Sequence, residues 1–384
     1  MMKHSKLSLV AAAISATYLS LTAGTALANG VDLLPDSEKA IYELVDSQTP
    51  LEESVLADFK AKNPPPWKIG YASSYAGNTW RASIMDELMD DLYPKAKEAG
   101  LVSEVVVTQS DLRDSVQIQQ MRQMVDDGVD AIIICCSNVT ALNSTIKYAY
   151  SKGVPVFSFS GYVTSPYAVN VAANHMLGGY EMGKWLAEEI GGKGNVVMVS
   201  GIPGAASSDS FDLGAKKALK EYSDINIIGE LAGGWTDQVA QTEVQKFLAT
   251  NPRKVDGILT QSAQENGVLN AMLQSGRPMV PITLGGQASA ACYWRKHPDW
   301  ISSSFHIWPP AREMSQAWDV MLRTMQGQGP KIQSMLRPVL PYSIADVKEA
   351  LPENCDLNST DWIQPTHSEW WPDDIAKQYF HNPS

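Results

Sequence analysis

Residues 126–160 read DDGVDAIIICCSNVTALNSTIKYAYSKGVPVFSFS. Within the strand-like Val129–Cys135, AIIICC from Ala131 is continuously apolar, as a strand must be when both faces of a parallel sheet are covered. Val139–Ser151 has helical periodicity, Gly153 sits where that helix would stop, and Val154–Phe159 is a second apolar strand. Strand, helix and strand at this spacing make a βαβ unit, whose two strands run parallel.

The same rhythm extends outward. Before it come strand-like Lys68–Ala72, a helical Trp80–Ala99, strand-like Glu104–Thr108 and a helical Asp114–Asp127, with Gly100 and Gly128 at the helix ends. After it comes strand-like Ala168–Ala172. The alternation then restarts: helix Met176–Ile190, strand Asn195–Val199, helix Asp212–Glu221, strand Ile225–Leu231, helix Gln238–Ala249, strand Val255–Thr260, helix Asn266–Gln274 and strand Val280–Leu284. Trp300–Phe305 and a helix over Arg312–Met325 follow. One sheet of so many strands would be unusual, so the pattern predicts α/β architecture in two doubly wound parallel-sheet domains. Upstream, Asn29–Lys62 carries a helical pattern of apolar residues and Pro64-Pro65-Pro66 ends it.

The chain has 384 residues, enough for two moderate cores, and 44% are hydrophobic. A net charge of −12 argues against nucleic acid or an anionic membrane as a general partner. Lys3 and Lys6, the apolar Leu7–Leu21 and the small-x-small Ala26-Leu27-Ala28 read as a secretory signal peptide over residues 1–28. Losing its two lysines takes the charge to −14. No apolar run of membrane-spanning length follows, so the expectation is a soluble exported protein. Cys135 and Cys136 are adjacent and read as small buried residues; Cys292 and Cys355 are free to pair or not in an oxidising compartment. No Cys/His spacing suggests a metal and no motif suggests a cofactor. GGKGN at Gly191–Asn195 precedes a strand, so it is not a dinucleotide fingerprint.

Four stretches together resemble the ribose/galactose-type periplasmic binding proteins, the type I solute-binding components of ABC sugar importers. They are KIGYA followed by a polar loop and helix, the 126–160 unit, NVAANHMLGGYEMGKWLAEEI and GNVVMVSGIPGAASS. The similarity covers roughly Trp67–Leu340. It implies two lobes joined by three crossovers with a ligand enclosed between them. Lobe one would combine 67–173 with 308–335, and lobe two 174–307 with 336–345. Residues 29–66 would be a helical appendage and 346–384 a tail wrapping the body. The implied partners are a small neutral sugar or polyol and an inner-membrane permease. The protein would act as a monomer in the periplasm.

Sugar binding needs aromatic faces against C–H patches and fixed polar groups against hydroxyls. Ligands in open α/β sheets sit beyond the carboxyl ends of strands. In WKIGYASSYAGNTW (Trp67–Trp80) that rule selects Tyr75, Asn78 and Trp80, with core packing the alternative for Trp80. It also selects Ser137 and Asn138, the latter equally a helix cap, and Tyr162. Ser160-Gly161 stands where the resemblance implies an Asp-Arg pair. Asn174, at the first crossover, is hinge, cap or contact. From the second half come Asp209, Trp235 (stacking ring or core), Gln261, Gln264, Gln287, and His306 and Trp308 at the second crossover. Amides and tryptophans replace charged contacts, which points to a neutral hydroxylated solute. Two other readings stay open: an exported carbohydrate-active hydrolase, for which Asp209, Asp237 and Glu265 could supply a carboxylate pair, and a ligand-sensing partner of a membrane receptor.

Overall fold

The apolar run Ala131–Cys135 lies inside a six-stranded sheet in which every pairing is parallel. The structure is a computed structural model, and it describes residues 29–135, 138–305, 309–363 and 370–383. Its strands are β1 Trp67–Ser73, β2 Val102–Gln109, β3 Ala131–Cys135, β4 Val156–Phe159, β5 Ala168–Ala173, β6 Lys193–Ser200, β7 Asp224–Ala232, β8 Gly257–Thr260, β9 Ser303–Phe305, β10 Ser334–Arg337 and β11 Pro341–Ser343. The first sheet has the order β10-β5-β4-β3-β1-β2. The second has β7-β6-β8, extended by a single parallel bridge from Ile258 to Ile282. The second order thus repeats the β2-β1-β3 start of the first, an architectural repeat without a sequence repeat.

The helices that position the site are α1 Thr79–Asp86, α2 His175–Glu189, α3 Ala206–Leu219, α4 Asp237–Thr250, α5 Glu265–Gln274, α6 Ala288–Lys296 and α7 Pro310–Met325. One apolar cluster, including Ile69, Ile133, Phe157 and Val169, fills one face of the first sheet; another, including Ala72, Ile132 and Ile134, fills the other. Alternate residues of β3 go to opposite faces, as the pleat requires. A third cluster, around Val197, Leu259 and Trp294, packs the second sheet. Helices α2 and α3 approach closely because Gly179 and Gly214 face each other's backbone: a Cβ on either would lie 1.9 Å from a carbonyl oxygen of the other helix.

The chain leaves the first sheet after β5, returns with α7 and β10, and leaves again for β11, which pairs antiparallel with β9. Because β10 pairs in register with β5, Leu336 and Arg337 stand in the first sheet and not in the second lobe, where the sequence reading put them. Residues 29–66 also differ from expectation. They form only the short helical turns Gly30–Leu33, Asp36–Lys39 and Ala40–Tyr42, and the rest is turns, bends and irregular chain. Pro35, Pro50 and the 64–66 prolines break up the helical periodicity. Tertiary contacts use the apolar residues instead: Leu34, Ile41, Tyr42 and Leu56 are buried in the first lobe's core. Two further differences concern the second lobe. Val280–Leu284 contributes one bridge rather than a strand, and α6 falls where the sequence reading placed no helix. Cys292 and Cys355 form a disulfide, and Cys135 is buried.

Candidate functional site

Strand β1 ends at Ser73 and its loop delivers Asn78, the N-cap of α1. The Asn78 side-chain oxygen accepts from the Arg81 amide at 3.0 Å. That bond turns the Asn78 amide nitrogen outward, where it donates to the Trp235 carbonyl across the cleft at 3.0 Å. Trp80, the second residue of α1, stacks on Phe159 with centroids 6.3 Å apart and planes at 20°. It is both a core residue and a wall of the cavity, so the two readings offered by the sequence coexist. The Arg81 guanidinium lies 4.9 Å from the Trp80 ring centroid and donates to the Cys135 sulfur.

The opposite wall is Trp235, in the loop after β7. Its φ is +53°, left-handed for a bulky residue. Two glutamines hold it there. The Trp235 amide donates to Gln264 Oε1 at 2.8 Å and its indole nitrogen to Gln261 Oε1 at 2.9 Å. Their remaining groups are also engaged. Gln261 Nε2 donates to Ser208 and Asp212, and Gln264 Nε2 to the Val199 and Ser200 carbonyls. Gln287 is saturated likewise, donating to Asp237 Oδ2 at 3.0 Å and accepting from the Asn266 amide at 3.0 Å. The three glutamines therefore frame the wall from behind, and none of them lines the cavity, where the sequence reading placed them as ligand contacts. A buried amide costs free energy unless both ends are paired, and protein partners pair them here.

Between the two tryptophans lies a cavity with about 410 Å³ of empty space, mouth included, lined by Asn78, Trp80, Arg81, Ser160, His175, Ser207, Trp235, Ser262 and Ala263. Three of its residues, Ser160, Trp235 and Ala263, have positive φ, out of five such non-glycine residues among those described. Such backbone geometry concentrates at functional sites because surrounding contacts must over-determine it. His175 is held well below its ordinary value, at about 4, by burial, while a bond to the Ala173 carbonyl opposes the shift. At neutral pH it is thus an uncharged imidazole in the cavity wall. No carboxylate lines the cavity, so Arg81 gives it a single positive charge.

The acids lie deeper. Glu265 accepts from the Gly285, Gln287 and Gln264 amides, and burial pushes its carboxyl up to about 7 despite those bonds. Burial also raises Asp212 and Asp237.

Other sequence-selected residues stand elsewhere. Tyr75 is half-buried in the loop against Gly77 and does not line the cavity. Asn138 is exposed and caps a turn, accepting from the Thr140 and Ala141 amides at 3.1 Å each. Tyr162 is buried behind the hinge beside Asp46 and Ser210, and burial raises its hydroxyl well above its ordinary value. Asn174 caps α2 and donates to the Ile41 and Leu44 carbonyls, so it ties the hinge to the N-terminal segment. Asp209 is exposed and accepts from the Gly204 amide. The physical reason is that α3 begins at Ala206, six residues before the predicted start at Asp212, which turns Asp209 to solvent and Ser207 inward. Ser137, His306 and Trp308 lie outside the described residues.

Arg81 and His175 are the chemically important residues that the sequence reading missed. Each adjoins a residue that it did select, and neither has spacing that marks it as buried. Among the described residues, no group of three His, Cys, Asp or Glu could hold a metal ion, and no helix is long and apolar enough to cross a membrane.

Comparison with known proteins matches residues 69–329 to a family described as the periplasmic binding protein domain. The xylitol-binding protein of Mycolicibacterium smegmatis is 27% identical over 194 residues, 50% of this chain and 54% of the relative. The galactofuranose-binding protein of Escherichia coli is 27% identical over 188 residues, 48% and 57% of the two chains. The chain thus spans little more than half the length of these two relatives. An ABC transporter solute-binding protein of Thermobispora bispora superposes with a TM-score of 0.69 at 23% identity, over 76% of this chain and 89% of that one.

Proposed function

The chain belongs to the periplasmic binding protein domain family, and from that premise we propose that it captures a small sugar or polyol between its two lobes and delivers it to the membrane permease of an ABC importer. One observation carries the reading: Trp80 and Trp235, from different lobes, bound one small cavity that polar side chains also line. Aromatic rings cover C–H faces, while Asn78, Arg81, His175 and the serines present the donors and acceptors that hydroxyls need. Relatives named for xylitol, galactofuranose and D-xylose support a small polyol or sugar. Capture is non-catalytic in this reading. Asp209 is exposed, and Asp237 and Glu265 bond to Gln287, so none of these three carboxylates lines the cavity. Residues 1–28 would direct export, with cleavage after Ala28, and the mature chain would act as a monomer in the periplasm.

The test is calorimetric titration with xylitol, arabinitol, myo-inositol, D-xylose and a furanoside, in wild type and Trp235→Ala. The expected result is saturable binding to at least one, weakened roughly 5- to 150-fold by Trp235→Ala, about 1–3 kcal/mol for a lost stacking face. Recovery of the solute as a hydrolysis product would favour the enzyme reading. Arg81 supports one second reading, an anionic sugar acid; xylonate binding with none of the neutral solutes doing so would select it.

A further inference from the structure

Two consecutive residues of the C-terminal tail, Trp362 and Ile363, are buried in opposite lobes. The tail is tied to lobe two by the Cys292–Cys355 disulfide. It then runs antiparallel beside Gln287: the Ala288 amide donates to the Asp361 carbonyl at 2.9 Å and the Ile363 amide to the Gly286 carbonyl at 2.9 Å. Ile363 packs into the lobe-two core. In an extended chain neighbouring side chains point in opposite directions, and Trp362 accordingly packs into the lobe-one core, 8% exposed. Its indole nitrogen donates to Thr79 Oγ1 at 3.2 Å, one residue from Asn78 in the cavity wall.

We propose that Asp361–Ile363 is an interlobe strap, with Trp362 as its bolt, and that it biases the ligand-free chain toward the closed state. The backbone of the strap rides with lobe two while the largest side chain in it is seated in lobe one. Opening the lobes therefore has to withdraw a tryptophan from an apolar core, together with the Asn78–Trp235 bond. A closed state held by protein–protein contacts is populated before solute arrives, and a ligand that binds it then meets a preformed site. The strap makes Trp362 a positioning residue: it does not line the cavity, and acts through Thr79 and the first turn of α1.

The inference rests on the two-lobed capture reading but not on which solute is captured, so its test uses none. Small-angle X-ray scattering of the ligand-free chain would be compared for wild type, Trp362→Ala, Trp362→Phe and Thr79→Val. The expected result is a closed profile for wild type and an expanded one for Trp362→Ala, whose closed-to-open ratio falls roughly 10- to 100-fold for loss of a buried aromatic side chain. Trp362→Phe and Thr79→Val, which keep most of the packing but break the indole bond, shift the ratio a few-fold. Circular dichroism unfolding establishes that both lobes remain folded, and the two milder variants carry the test if Trp362→Ala does not fold. An expanded wild-type profile, or folded variants that superpose on a closed wild type, would overturn the proposal. Failure of every solute in the titration panel would leave the scattering result intact, so the two readings fail separately.

Discussion

His175 and Glu265 should give the folded chain two opposite pH dependences that hide each other in the wild type. Between pH 6.5 and about 4 the unfolded chain carries a proton on this histidine and the folded chain does not. Its stability contribution is therefore complete above 6.5 and lost as pH falls. At about 1.4 kcal/mol per pH unit the loss reaches about 3 kcal/mol by pH 4. Glu265 has the reverse sign. Its folded carboxyl keeps a proton up to about 7, whereas the unfolded one loses it near 4.5. The folded state then binds more protons, so stability falls as pH rises through that window, again by about 3 kcal/mol. From 4.5 to 6.5 the slopes oppose, and a wild-type profile alone is uninformative. The differences are diagnostic. Urea unfolding of His175→Asn at pH 4, 5, 6, 7 and 8 should show a wild-type-minus-variant stability difference that changes by about 3 kcal/mol from pH 7 to 4. For Glu265→Gln the difference should change by a similar amount between pH 4.5 and 7.5, with the wild type losing on the alkaline side. Differences constant to within about 1 kcal/mol would mean that burial does not displace these groups.

The Cys292–Cys355 bridge joins residues 63 apart in sequence, and in the chain-entropy model removing it by Cys355→Ser should cost about 4 kcal/mol, read as a lower urea midpoint under oxidising conditions and no change under reducing ones. Gly179→Ala would bring a Cβ to 1.9 Å from the Phe211 carbonyl oxygen, so α2 and α3 must separate; the expected loss is about 3 kcal/mol, measured by thermal unfolding, and an unaffected melting temperature would mean that the helices do not touch there.

The sheet of lobe one was legible because its central strands are covered on both faces and read as apolar runs, unbroken in Ala131–Cys135 and interrupted only by Ser158 in Val156–Phe159. In lobe two the same signal was weaker. Val280–Leu284 is apolar enough to read as a strand, yet only Ile282 bridges, because its core contacts rather than ladder bonds bury it. The N-terminal segment misled for a different cause: Ile41, Leu44 and Val45, and then Leu51, Val55, Leu56 and Phe59, recur as on a helix, but Ile41 and Leu56 are buried in the lobe-one core without one, and the neighbouring Tyr42 hydroxyl donates to the Ser334 carbonyl of β10 at 2.9 Å. Periodicity records which residues are buried and says nothing of what buries them.

The site divides along a line that sequence alone cannot draw. Asn78 and Gln261 are both amides at strand ends, and residue type gives them the same capacity for two donors and an acceptor. What separates them is how much of that capacity neighbours consume. Asn78 lines the cavity and spends its donor on a bond between lobes, which opening would release. Gln261 spends its oxygen on the Trp235 indole and its nitrogen on Ser208 and Asp212, all within one lobe, so opening leaves it unchanged. A substitution at Gln261 must therefore act on solute binding through the orientation of Trp235, which its left-handed backbone cannot hold alone, whereas one at Asn78 alters both the wall and the closing equilibrium.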